Sequence, residues 1–98
     1  MTNILSISAH EDIRRIMNRV VNKREGWQGQ AAADVNEAEA MLIEEEFDLI
    51  LIGVGITEKE EQQLSDFCQT LTFTPKLVRH YGGGSGLIYS EVVTAMAA

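Results

Sequence analysis

Gly82-Gly83-Gly84-Ser85-Gly86 stands just before an apolar segment with helical spacing, and it is the stretch whose residue types could best hold a small ligand. Backbone N–H groups at a helix start cradle anions, and glycines let an anion come close. No Lys-Ser or Lys-Thr pair follows, so the stretch is not a P-loop. A flexible connection that steers the last helix across the sheet edge accounts for the same glycines, and both readings stand. His10 and His80 are the two histidines, and each follows an apolar run. Without a nearby cysteine or a well-placed carboxylate they are too few for a zinc site, so capping or hydrogen bonding is their expected role. Ser8 has no identifiable base beside it, and Ser8-Ala9-His10-Glu11 has the Ser-x-x-Glu spacing of a helix capping box. Cys68 is the one cysteine. It cannot form an internal disulfide, and its place in an apolar helical stripe marks it as core filler. No triad, metal set or carboxylate pair emerges, so neither an enzyme nor a bound metal or cofactor is expected.

The composition bounds the function from another side. The chain has 98 residues, 45% of them hydrophobic and 23% charged, which fits one globular domain spanning 1–98. A net charge of -7 disfavours nucleic acid and anionic membrane surfaces as partners, because both carry charge of the same sign. No apolar run approaches about 18 residues, and Met1-Thr2-Asn3 lacks the basic region of a signal peptide, so a cytoplasmic protein is expected.

The elements that must position these residues follow from periodicity. Leu49-Ile50-Leu51-Ile52, bounded by Phe47-Asp48 and Gly53-Val54-Gly55, is too short to span a membrane and too uniformly apolar for a strand with one wet face. It reads as a central strand covered on both sides. Ile4-Leu5-Ser6-Ile7 is a second apolar run. Trp27 to Ala31 alternates apolar residues with glutamines, and Lys76 to His80 mixes charged with apolar residues, as edge strands do. Between them lie amphipathic helices. The first carries Ile13, Ile16, Met17, Val20 and Val21 on one face and ends at Gly26. The second starts at Asp34-x-x-Glu37 and buries Val35, Ala38, Met41 and Leu42. The third starts at Thr57-x-x-Glu60 and buries Leu64, Phe67, Cys68 and Leu71. Leu87, Ile88, Val92, Ala95 and Met96 fit a final helix.

Strands alternating with helices require a parallel sheet with right-handed crossovers. The apolar strands must be central and the mixed ones edges, which gives a four-stranded parallel sheet of order 2-1-3-4. A three-layer α/β domain then needs the last helix beside the first, opposite the second and third. The ligand crevice of such a sheet lies outside the carboxyl ends of its central strands, beside Gly53, Gly55 and His80.

Ile4 to Ala9, Gly26-Trp27, Ala32 to Ala38, Phe47 to Gly53 and Thr74-Pro75 together have the order and spacing of a known pattern. Over about residues 4 to 80 the chain resembles the receiver domain of bacterial response regulators. The resemblance implies a flavodoxin-like fold that accepts a phosphoryl group on an aspartate with the help of magnesium. It also implies that the family's paired acidic metal-binding positions fall on Ser8 and Ala9, its phosphoacceptor aspartate on Gly53, and its strand-four hydroxyl residue on His80. The lysine after a fifth strand has no counterpart. Magnesium needs carboxylate oxygens, and a glycine offers no nucleophile. The expectation is a shortened, degenerate pseudo-receiver that works in signalling through protein contacts without aspartyl phosphorylation. The alternative is a sensor of an anionic or phosphate-bearing molecule held by Gly82, Gly83, Gly84, Ser85 and Gly86 with Gly53, Gly55 and His80.

Charge is unevenly spread. Residues 11–25 carry five cations (Arg14, Arg15, Arg19, Lys23, Arg24) against Glu11, Asp12 and Glu25, whereas residues 34–66 carry eleven carboxylates against Lys59 alone. Opposite signs on opposite faces suit docking to a protein of complementary charge. An edge strand at Lys76 to His80 without a further neighbour also favours a homodimer.

Overall fold

The protein, described here by a computed structural model over residues 1–81 and 85–97, with the backbone alone for Ser85, alternates strands and helices from end to end. In chain order these are β1 (Thr2–Ile7), α1 (Glu11–Asn22), β2 (Trp27–Ala32), α2 (Val35–Glu44), β3 (Leu49–Ile52), α3 (Glu58–Cys68), β4 (Lys76–Arg79) and α4 (Ser85–Ala97). The sheet is parallel throughout and its order is β2-β1-β3-β4, as the burial of the apolar runs requires. Every residue of β3 is buried, while every residue of β4 is half-buried, which separates the central strand from the edge.

Register sorts the side chains into two cores. Leu5 pairs with Ile50 and Ile7 with Ile52, and these four face α2 and α3, where Val35, Ala38, Leu42, Leu64 and Cys68 complete the layer. Ile4 pairs with Leu49, and with Leu51 they face α1 and α4 and pack on Met17, Val21, Ile88 and Val92. The last helix therefore lies beside the first. No helix among the described residues is long and apolar enough to cross a membrane.

Local chemistry explains where the helices begin. Thr57 makes a full capping box: its hydroxyl accepts from the Glu60 N–H at 3.1 Å and the Glu60 carboxylate accepts from the Thr57 N–H at 3.0 Å. Asp34 caps α2 by accepting from the Glu37 N–H at 2.8 Å. Acidic residues in the first turns of α1, α2 and α3 add a favourable interaction with the helix dipoles.

Three expectations need correction. Ser8 does not cap α1: His10 is the N-cap, with no side-chain capping bond, and the Ser8 hydroxyl is engaged elsewhere. Ile16, Leu87 and Met96, counted in apolar stripes, are exposed, because α1 and α4 each bury only a narrow face against the sheet and each other. Tyr81, expected to pack, is 83% exposed.

Ser6 breaks the pattern of the central strands. It is fully buried on the α1–α4 side, opposite Leu51, and among the described residues its hydroxyl has no hydrogen-bond partner. An unpaired buried hydroxyl costs about 1–3 kcal/mol. Ser6→Ala is therefore expected to stabilise the protein by about 1 kcal/mol, seen as a higher urea midpoint at unchanged slope; a lowered midpoint would mean that the hydroxyl is satisfied.

Candidate functional site

The carboxyl ends of β1 and β3 are the place where this sheet would hold a ligand, and the structure ties them together. The Gly53 N–H donates to the Ile7 carbonyl at 2.7 Å, extending the ladder by one rung. Beyond it the Val54 carbonyl accepts twice, from the Ser8 hydroxyl at 2.8 Å and from the Ala9 N–H at 3.1 Å. The Ser8 hydroxyl in turn accepts from the His10 N–H at 3.2 Å, and Arg14 reaches back from α1 to donate to the Ser8 carbonyl at 2.8 Å. Ser8 is fully buried. Its side chain thus fastens the loop after β1 to the loop after β3, forty-six residues away.

Side-chain volume completes the closure. A Cβ added to Gly53 would lie 2.7 Å from Met17 Sδ and 3.2 Å from the Ile7 carbonyl oxygen, so the thioether of α1 fills the space a side chain at 53 would need. A Cβ on Gly55 would lie 2.5 Å from the Ala9 Cβ, and Gly55 has φ +93, where an L side chain is strained as well. Gly55 is required by the close approach of Ala9 and by its backbone conformation, while at position 53 Met17 would have to shift to admit a side chain. The contribution of Met17 could not be seen from its place in an apolar stripe, which fixes the face it lies on but not the glycine it meets.

His80 also reaches this rim, with its N–H donating to the Ile52 carbonyl at 2.8 Å. Its ring turns toward α4, where Nδ1 lies 2.6 Å from Glu91 Oε1, and both side chains are largely buried. The pair fixes the last helix to the end of β4. Gly82, Gly83 and Gly84 lie outside the described residues, and of Ser85 only its place in α4 is described. Gly86 is exposed, in the first turn of that helix. His10 is exposed and does not share a partner with His80.

Other reactive groups are quiet. The Cys68 thiol is pushed up to about 11 by burial and by the nearby Glu39 carboxylate, so it stays protonated and unreactive at neutral pH, in keeping with core filler. No three His, Cys, Asp or Glu side chains among the described residues converge as metal ligands would. Arg79, at the end of β4, is held by Glu61 at 2.7 Å and by the Ile56 carbonyl at 2.9 Å, in a groove of about 450 Å³ between α3 and the sheet edge.

The fit of Met17 against Gly53 is open to a double-mutant cycle. Gly53→Ala is expected to cost about 1–3 kcal/mol by overpacking and Met17→Ala about 2–5 kcal/mol by leaving a cavity. Together they should cost less than their sum by at least about 0.5 kcal/mol, because removing the thioether makes room for the new methyl group. Strict additivity in urea unfolding would mean that the two positions do not touch.

No protein-family model matches the sequence, and no curated protein matches it. Solved structures do. The chemotaxis response regulator CheY4 of Vibrio cholerae superposes with a TM-score of 0.68 at 22% identity over 81% of this chain and 67% of its own. The complex of CheY6 with the phosphorylated P1 domain of CheA3 from R. sphaeroides contains a match with a TM-score of 0.70 at 19% identity, over 99% and 98% of the two chains. A CheY-like receiver domain from Methanospirillum hungatei JF-1 gives 0.66 at 19% identity over 92% and 74%. With the sheet order β2-β1-β3-β4, these similarities establish the CheY-like, flavodoxin-like receiver fold.

Proposed function

We propose that the protein is a pseudo-receiver: a non-catalytic signalling module that acts through protein–protein contacts and takes no phosphoryl group. The observation that carries this reading is the closed rim. Receiver chemistry needs carboxylates at the ends of the central strands to hold magnesium and an aspartate to attack. Ser8, Ala9 and Gly53 provide neither, and Met17 fills the space beside Gly53. The Ser8 side chain at this rim is engaged in holding one loop to the other, and the His80 ring turns away to Glu91 on α4.

The proposed partner is a second copy of the chain, joined along β4 and α4. Among the described residues β4 pairs only with β3, and beside it lies a groove of about 400 Å³ lined by Val78, Ser90, Glu91, Thr94 and Ala95. α4 carries one charged side chain, Glu91, and that is spent on His80, while Leu87, one turn before it on the same side, stands exposed. An edge strand beside an uncharged helix face suits burial against its own two-fold mate. That a comparable fold is found in complex with a CheA3 P1 domain is in keeping with contacts to protein.

Sedimentation velocity with and without beryllofluoride and magnesium tests both parts at once. A dimer is expected to form at tens of micromolar, with the same concentration dependence when the phosphoryl mimic is added. A species that stays monomeric to about 100 μM, a limit equivalent to some 5 kcal/mol of association, would contradict the dimer; a distribution shifted by beryllofluoride would contradict the loss of phosphoryl chemistry.

A further inference from the structure

The other flank of α4 makes a different kind of surface. There α1 and α4 border a cleft of about 480 Å³, in the size range of small-molecule sites. Arg19, Lys23 and Arg24 line it together with Ile16, Trp27 and Tyr89. Trp27 and Tyr89 stack with centroids 5.6 Å apart, and the Arg24 guanidinium lies 3.4 Å above the Tyr89 ring. One wall is thus an aromatic stack with a cation set over it.

Two features separate this cleft from an ordinary solvated face. First, three cations line it with no carboxylate among its lining residues, in a chain whose net charge is -7. Of the arginines outside the cleft, Arg15 pairs with Glu11 and Arg79 with Glu61, while Arg14 donates to the Ser8 carbonyl. Arg19 and Lys23 sit at i and i+4, where like charges weaken a helix by about 0.2–0.5 kcal/mol. A position near the carboxyl end of α1 accounts for their sign. It does not account for the second feature, the aromatic pair and the half-exposed indole set beside them.

We infer that this cleft is a binding site for a planar aromatic anion, a ring system carrying a phosphate or carboxylate. The ring would lie against the Trp27–Tyr89–Arg24 wall, gaining stacking and cation–π contact. The anionic group would take charge-assisted hydrogen bonds from Arg19 and Lys23, whose side chains are exposed and free to close on it. Glutamines cannot supply that charge. The site lies across α4 from the β4 edge, so binding here does not depend on self-association.

Trp27 is the single tryptophan, so its indole N–H gives one unambiguous NMR signal inside the cleft. The probes are adenosine 5′-monophosphate and 2-naphthoate, with adenosine and inorganic phosphate as halves of the first. Adenosine 5′-monophosphate or 2-naphthoate is expected to shift that signal saturably with Kd below about 1 mM. The two halves should bind at least about tenfold more weakly, and Arg19→Gln and Lys23→Gln should each weaken the aromatic anion about tenfold. Both substitutions are at exposed positions, and an unchanged remainder of the spectrum verifies the fold. The inference is overturned if neither aromatic anion saturates, if inorganic phosphate alone binds as tightly as adenosine 5′-monophosphate, or if both glutamine variants bind as the unsubstituted protein does.

Discussion

The Val54 carbonyl oxygen holds this structure's rim together. It accepts from Ser8 on one side of the crevice and from Ala9 beside it, while Gly53 binds Ile7 just below. Once these bonds form, the loops after β1 and β3 cannot separate without leaving a buried hydroxyl and a carbonyl unpaired. The rest of the rim follows. Residue 55 must be glycine, because the loops approach until Ala9 would touch any side chain there, and at residue 53 the Met17 thioether occupies the space a side chain would enter. A parallel α/β sheet ordinarily keeps its crevice open at this point. Here Ser8, Ala9 and Met17 pack across the crevice, and the proposed partner contacts use the helical faces and the outer strand edge.

Those surfaces differ in kind. α2 and the start of α3 are strongly acidic, and Glu37, Glu58, Glu60 and Glu61 stand in first turns, where the helix dipole favours them. α1 is cationic along its outer flank, and α4 is almost uncharged, its single carboxylate paired with His80. A helix anchored near its middle by the histidine–glutamate pair lies between a basic cleft and the outer edge of β4. One helix therefore serves both the proposed dimer and the proposed anion site, on opposite flanks.

Much of the fold was legible in the sequence because burial writes itself into composition. Leu49 to Ile52 could only be central, the glutamine-interrupted and charge-interrupted runs could only be edges, and chirality then left one strand order. The Thr57 and Asp34 caps were legible because capping is local. Ser8 was misread by the same rule: its Ser-x-x-Glu spacing is present, but the helix starts after His10, and the Ser8 hydroxyl accepts from the His10 N–H while donating to the distant Val54 carbonyl. Gly53 and Gly55 announced a close approach without naming what approaches, and only the packing of Met17 and Ala9 supplies it. Tyr89 was hidden within an apolar helix, and its stack with Trp27 joins residues whose proximity depends on α4 lying beside α1.

Amide hydrogen exchange at single-residue resolution tests the closed rim most directly. If the loops after β1 and β3 are fastened as described, the Gly53 and Ala9 amides are protected to within about tenfold of the Ile50 and Leu51 amides in the central strand, since all would then open only with the sheet. Exchange of Gly53 and Ala9 at the rate of exposed loop amides, with Ile50 and Leu51 still protected, would show that the crevice opens on its own and would contradict a rim given over to packing.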